Sequence, residues 1–286
     1  MITGANGFLG TKIAQRLAGE GHEVIAMVRR LKEYPGLQHE NIKLMKGDVV
    51  DSNSLAAALV GVNHVYHLAA IANDWAKDFR DIYRTNVEGT INVLDESANA
   101  GVEKIVVTST AGTIGPPDPE NIYPVNEKHV RLVDFFTDYE SSKCMAEERI
   151  AQYASKGQHI VMVNPTRVYG PGPLTRNNGY LLLIHNYMYK PVCFFPGFPQ
   201  QTGNVVHIDD IVDGHLLAME KGVSGEKYLL GGSNVSFVDL FKALEKLTGK
   251  RAKKFAIPVW ILKTIANIHG VRAKWFKLQP LITHAW

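Results

Sequence analysis

Three glycines at three-residue spacing open this chain, in the run Ile2-Thr3-Gly4-Ala5-Asn6-Gly7-Phe8-Leu9-Gly10. The run lies between a strand remnant and a segment with Leu9, Ile13 and Leu17 at four-residue spacing, the mark of one helix face. Glycine permits a tight turn and lets the backbone approach a pyrophosphate closely. The N-terminus of the following helix offers unpaired N–H groups and a partial positive charge. A turn so placed predicts a dinucleotide-binding strand–helix–strand unit, with Gly4, Asn6, Gly7, Phe8, Leu9 and Gly10 as its cofactor contacts. Only Met1 and Ile2 precede Thr3, whereas a strand usually has about five residues. The expectation is a central strand clipped at its start, with residues missing from the N-terminus.

Downstream, apolar runs at 23–28, 42–45, 65–68, 105–107 and 160–163 are rich in Val and Ile and do not alternate with polar residues. Strands covered on both faces read this way. Between them lie helical patterns, one through Val87, Ile91 and Leu94 and one from Tyr139 to about Ala154. Alternation of this kind predicts an α/β fold of Rossmann type, a doubly wound parallel sheet. After Gly170 the pattern loosens, with Gly and Pro clustered at 170–173 and 191–203. Helices are expected over 178–189, 210–221 and 237–247, and a short strand near 228–230. We therefore divide the chain into a dinucleotide-binding domain, 1–170, and a smaller substrate-binding lobe, 171–286, interleaved with the last strands of the main sheet.

The two cysteines, Cys144 and Cys193, form neither a metal spacing nor a disulfide framework, as expected of a reducing cytosol. The longest strongly apolar stretch, 257–262, is far too short to cross a bilayer, and no signal peptide opens the chain. These features predict a cytoplasmic protein. Net charge is +3, yet eight basic residues and no acidic one fall in 247–286, so the rest of the chain is net acidic. That basic end reads as a solvated face or as an attraction for an anionic substrate or an acidic membrane surface. A pI near 8.7 is modest for a nucleic-acid partner.

Where the second strand ends, an enzyme using NAD usually carries an acidic residue for the ribose 2′-hydroxyl. Here the strand ends Met27-Val28-Arg29-Arg30. A guanidinium suits a 2′-phosphate through charge-assisted, bidentate hydrogen bonds. NADP is the expected cofactor, with NAD as the alternative, and Arg29 is the favoured contact.

Of the eleven tyrosines, Tyr139 alone has a lysine, Lys143, four residues later. On a helix both side chains address one pocket. A free phenol has a pKa near 10, and a neighbouring ammonium lowers it. Tyr139 can then give a proton to a carbonyl oxygen, or take one from an alcohol, while nicotinamide gives or takes the hydride. Thr110 is the third catalytic candidate. It lies in Thr108-Ser109-Thr110-Ala111-Gly112, just past a strand's carboxyl end, where α/β folds bind ligands. It could donate a hydrogen bond to the substrate oxygen; Ser109 is the competing assignment.

Together these residues resemble the extended branch of the short-chain dehydrogenase/reductase family, the NAD-dependent epimerase/dehydratase family. The matching segments are 3–10, 47–48, 66–70, Asn86, 108–111, 139–143, 164–172 and 207–210. The resemblance implies that Asp48 and Val49 flank the adenine and that Leu68, Ala69 and Ala70 line the adenosine side. It also implies that Pro165 and Val168 contact the nicotinamide end, and that Lys143 binds the nicotinamide ribose. Asn86 resembles a helix asparagine of structural or proton-relay use, and the structural role ranks higher. His207 and Asp210 are expected as scaffold, a strand residue and a helix N-cap. The family often dimerises through the Tyr-bearing helix and the long helix before it, so a homodimer is a further expectation. Nucleotide-sugar epimerases usually carry an arginine just before the late Val-x-Asp segment, and 202–210 holds none. Sugar dehydratases place an Asp-Glu pair after the catalytic hydroxyl, where this chain has Ala111-Gly112. The Ser109–Thr113 run and Val28-Arg29 are closer to the dihydroflavonol-4-reductase-like subgroup, which reduces ketones and aldehydes with NADPH. An NADP-dependent oxidoreductase acting on a small carbonyl or alcohol is the expectation. A nucleotide-sugar epimerase and a non-catalytic dinucleotide sensor are the alternatives. A helix beginning near Ile257 with Pro258 early, and continuing at Ile265 and Ile268, is expected to pack on the lobe, with a lid over an apolar substrate or a membrane-surface contact as the alternatives. By resemblance 279–283 lies near the substrate pocket and more chain follows, so ending at Trp286 implies a shortened or trimmed C-terminus and a more open pocket.

Overall fold

In the computed structural model, the residues described are 1–72, 78–118, 124–172, 178–258, 260–262 and 264. Seven strands form one parallel sheet: β1 (Ile2–Thr3), β2 (Val24–Val28), β3 (Ile42–Lys46), β4 (His64–His67), β5 (Lys104–Thr108), β6 (Ile160–Pro165) and β10 (Lys227–Leu230). Their spatial order is β10-β6-β5-β4-β1-β2-β3, and each neighbouring pair is parallel. This is the doubly wound Rossmann-type order, which reverses direction between β1 and β4.

The unbroken apolar runs follow from that burial. Side chains alternate across a strand, so Val106, Val161 and Val163 face one core, with Ile13 and Ala14 of helix α1 (Phe8–Gly19) and Val212 of α7 (Ile208–Lys221). Ile105, Val107, Ile160 and Met162 face the other. They join Leu55 of α2 (Ser52–Ala58), Val93 and Leu94 of α4 (Gly89–Asn99), and Ile150 of α5 (Asp138–Ser155). Both faces of β5 and β6 are covered, and polar alternation would bury unpaired groups. The helix before α4 starts at α3 (Phe79–Tyr83) and passes through one π turn, Arg84–Glu88, that carries Asn86.

The chain falls into two compact units. The first is Met1–Ala72, Asp78–Pro165 and Asp209–Leu230. The second is Thr166–Ile208 and the described residues from Gly231 on. The sequence division stood at 170; the compact units part after Pro165, and the chain returns to the first unit at Asp209. The second unit contains β7 (Arg167–Tyr169), α6 (Gly179–Tyr189), β8 (Val192–Pro196), β9 (Thr202–His207), β11 (Ser233–Ser236), α8 (Phe237–Thr248) and β12 (Lys253–Ile257). Its small sheets are β11-β9-β7 and β12-β8. Tyr187, Cys193, Phe195 and Phe241 make its core, with the Tyr187 and Phe241 rings stacked 5.5 Å apart.

Two expectations change. Ile257 ends a strand rather than opening a helix, because 253–257 pairs in parallel with β8; residues 260–262 are helical. Asp210 is not an N-cap: α7 begins two residues earlier, so Asp209 and Asp210 occupy its first turn, where carboxylates favour the helix dipole. His207 closes β9 as expected. Pro173, Ile265, Ile268 and the segment 279–283 lie outside the described residues.

Candidate active site

The Gly-rich turn and the turn after β4 meet at the reversal of the sheet. Gly4 has φ +68°, and a Cβ there would stand 2.8 Å from the Ala69 nitrogen. A Cβ on Gly10 would strike the Gly4 carbonyl. Only glycine fits these two positions. Helix α1 starts at Gly7 with no side-chain cap and no acidic residue in its first turn. With no side-chain cap among the described residues, its first N–H groups could serve an external anion such as a pyrophosphate. Asn6 and Gly7 are exposed, and Phe8 and Leu9 are half-buried.

Thr3 ties the two turns together. Its hydroxyl oxygen accepts from the Leu68 and Ala69 nitrogens, each at 3.2 Å, and lies 2.7 Å from His67 Nδ1. His67 Nε2 is 3.0 Å from the Thr90 hydroxyl, which donates to the Asn86 carbonyl at 2.7 Å. With the Thr90 proton so used, Thr90 accepts from Nε2–H, and Nδ1 accepts from Thr3. Burial first, and the Lys143 ammonium second, push the His67 imidazolium down to about 3; the neutral ring suits these partners. Asn86 is fully buried, its side chain accepting from Ile71 N at 2.8 Å and donating to Ser142 Oγ at 3.0 Å. Ser142 in turn donates to the Tyr139 carbonyl at 2.8 Å. A continuous hydrogen-bonded chain thus links β1 to the helix that bears Tyr139. Asn86 serves it as a brace.

Among the other expected cofactor residues, Arg29 and Arg30 are exposed just past the end of β2. Asp48 is half-buried, its backbone N–H donating to Ser54 Oγ at 3.0 Å. Val49 is buried against Gly89, where a Cβ would stand 2.7 Å from its Cγ2. Ala70 is half-buried in the turn after β4. Pro165 is buried at the end of β6, and Val168 belongs to the second unit, on β7.

Tyr139 and Lys143 lie one turn apart in α5. Lys143 is 2% exposed, and burial pushes its ammonium down to about 8 against the upward pull of Glu147. Thr110 follows β5 and caps the short turn Ala111–Thr113, its Oγ1 accepting from Gly112 N at 3.1 Å. That oxygen keeps its own proton to donate elsewhere. Ser109, the competing assignment, is 4% exposed and donates to Glu147 Oε1. The structure therefore separates the two hydroxyls, Ser109 into a buried cluster and Thr110 onto a half-buried turn. Glu147 and His67 were not singled out from the sequence. The signal for Glu147 was its place four residues after Lys143, on the face Tyr139 and Lys143 share. The signal for His67 was a ring of mixed polarity at the end of an apolar strand.

Among the described residues no helix is long and apolar enough to cross a membrane. Residues 1–231 match the model of the NAD dependent epimerase/dehydratase family. "Sterol demethylase protein B" of Methylococcus capsulatus is 32% identical over 271 residues, covering 93% of this chain and 79% of that protein. A "putative dihydroflavonol 4-reductase" of Synechocystis is 31% identical, covering 93% and 77%. Among solved structures, the UDP-glucuronic acid 4-epimerase of Bacillus cereus, in complex with UDP-glucuronic acid and NAD, is similar at TM-score 0.78 and 26% identity, covering 90% of this chain and 85% of that one.

Proposed function

Because the chain belongs to the NAD dependent epimerase/dehydratase family, we propose that it reduces the ketone or aldehyde of a small molecule with NADPH, or oxidises the corresponding alcohol. The observation that carries this reading is the buried Lys143 one helical turn from Tyr139, on a helix braced to the Gly-rich turn. An ammonium in a desolvated site acts strongly on a neighbouring phenol, because little water screens it. Tyr139 then passes its proton to the substrate oxygen, and Thr110 donates a second hydrogen bond to that oxygen as charge develops on it. A bound nicotinamide supplies or accepts the hydride. Gly4, Asn6, Gly7, Phe8, Leu9 and Gly10 would hold its pyrophosphate, Asp48, Val49, Leu68, Ala69 and Ala70 its adenosine half, and Pro165 and Val168 its nicotinamide end. Arg29 would take the 2′-phosphate, and Lys143 the ribose hydroxyls.

The reductase relative supports carbonyl chemistry. The epimerase reading is favoured by the solved structure with a bound sugar nucleotide and NAD, and is weakened by the absence of arginine from 202–210. Titration of the purified protein with NADPH and with NADH, followed by a carbonyl screen that monitors NADPH oxidation, separates the two. The expected result is tighter binding of NADPH and turnover that Tyr139→Phe abolishes while cofactor affinity stays nearly intact. Preference for NADH together with interconversion of nucleotide sugars would overturn the reading. Pairing of two copies through α4 and α5 belongs to the same proposal, and light scattering would reveal it as a doubled mass.

A further inference from the structure

Behind Thr110 lies a buried polar cluster that the proposed reaction does not use directly. Its centre is the Glu147 carboxylate, whose side chain is 9% exposed. One oxygen, Oε1, accepts from Ser109 Oγ and from Asn164 Nδ2 at 2.7 Å, and lies 2.7 Å from the Thr113 hydroxyl. The other, Oε2, faces Lys227 Nζ on β10 at 3.3 Å. Asn164 Nδ2 also donates to the Thr110 carbonyl at 3.0 Å, and Asn164 Oδ1 is buried with no hydrogen-bond partner among the described residues. Ser109 Oγ and Asn164 Nδ2 thus share Oε1 and Lys227 faces Oε2, so the carboxylate is the acceptor these groups have in common. Ser109 follows β5, Asn164 lies on β6, Thr113 ends the turn Ala111–Thr113 and Lys227 lies on β10, whereas Glu147 comes from α5.

We propose that Glu147 is a positioning residue. It fastens the strand end that carries Thr110 to the helix that carries Tyr139 and Lys143, and it supplies the counter-charge for the buried Lys143 ammonium. This rests on the reductase reading for its kinetic consequences but not for its electrostatic ones. Glu147, four residues on along the same helix, acts on Lys143, and Lys143 acts on His67 of β4, which is neutral; Lys227 on β10 faces Glu147. Glu147 opposes the burial that drives the proton off Lys143. Replacing it by the isosteric amide keeps an acceptor for Ser109 and Thr113 and removes the charge.

The test is Glu147→Gln, read by an NMR pH titration of the Lys143 Nζ and by the pH profile of kcat. The expected result is a Lys143 midpoint lower by about one pH unit, and an alkaline limb of kcat displaced by the same amount. At neutral pH kcat is expected to fall about tenfold with KM for the carbonyl changed little, as when an interaction acts in the transition state rather than on binding. Glu147→Asp should return the limb towards its wild-type position. Should Glu147→Gln fail to fold, Lys227→Met replaces it. That change removes a competing cation, and the Lys143 midpoint should then rise. An unmoved midpoint in a folded Glu147→Gln protein, or a fall in Lys227→Met, overturns the proposal. Wild-type protein that turns over no carbonyl defeats the reductase reading alone, since the NMR titration needs no turnover.

Discussion

Lys143 shows at one residue how a site can oppose stability. A free lysine ammonium titrates near 10.5, and here burial lowers that to about 8. The folded state therefore holds its charged form at a cost below about pH 8, and that cost is relieved as pH rises towards 10.5, where the unfolded chain also loses the proton. Lys143→Met, which keeps the apolar stem and drops the charge, should stabilise the cofactor-free protein at pH 7 by roughly 2–3 kcal/mol while abolishing turnover. Chemical denaturation at pH 7 and pH 10 measures it: the gain should be large at the first and small at the second. A gain that is equal at both would show that the ammonium is not the cause. Arg29 makes the opposite kind of residue, exposed and without a structural duty in β2. Arg29→Ala should weaken NADPH by about tenfold or more, the loss of a charge-assisted contact, and leave NADH nearly unchanged; equal losses in a calorimetric titration would exclude a 2′-phosphate role. Both residues were conspicuous in the sequence by position alone, Lys143 four residues after Tyr139 and Arg29 just past the end of β2. Glu147 was not, because its meaning depends on Ser109, Thr113 and Asn164, which come together only when β5, β6 and α5 pack.

At the scale of the element, the helix bearing Tyr139 is held at its start with unusual care. Thr137 caps α5, its hydroxyl accepting from Glu140 N at 3.1 Å. Glu140 reaches back to accept from Phe136 N at 3.0 Å and from Arg131 at 3.1 Å, and Arg131 also donates to the Gly112 carbonyl. The Thr-x-x-Glu spacing is that of a capping box, with the glutamate bonded one residue before the cap and tied to the turn that follows Thr110. Tyr139 is the second residue of this first turn, so fraying there moves the phenol more than it moves Lys143 in the next turn. Thr137→Ala should cost about 1 kcal/mol of stability and lower kcat severalfold while cofactor affinity holds. Thr137→Ser should restore both, and urea unfolding with steady-state kinetics decides it; a stability loss with kcat intact would separate the cap from the chemistry. The short α2 was not foreseen, and the helix expected from Ile257 gives way to a strand. The central strands and helices α5 to α8 were readable from periodicity to within a residue or two, because each buries one stripe or both faces. The strands of the second unit were not. β7 and β11 have only three and four residues, and the burial of β9 and β12 is mixed or slight. In neither case does a buried face impose a pattern on the sequence.

On the scale of the whole chain, the division at 170 rested on where strand–helix alternation becomes irregular, and the path of the chain gives a different requirement. Residues Asp209–Leu230 return to the first unit and supply what the first 165 residues lack. β10 pairs with β6 from Lys227 opposite Met162 to Leu230 opposite Pro165. Val212 and Ala218 of α7 complete the core that holds Val161 and Val163. His215, fully buried, lies 2.9 Å from the Thr108 hydroxyl, and Gly222 accepts from the buried Lys104 Nζ at 3.0 Å. Cutting the chain at 170 would expose one apolar face, leave β6 as an open edge, and strand a buried lysine without its acceptor. Each loss costs on the order of 1–3 kcal/mol, against a net stability of about 5–15 kcal/mol for a domain. Fragment 1–170 should therefore fail to fold cooperatively, although it contains every residue of the Gly-rich turn and the Tyr139–Lys143 pair. A chain joining 1–165 to 209–230 through a flexible linker should regain a cooperative melt, because it restores the seventh strand and α7 together. Near-UV circular dichroism and thermal melting of both compare the two cases. A sharp transition in fragment 1–170 would mean that α7 and β10 are appended to a self-sufficient domain rather than being part of its core.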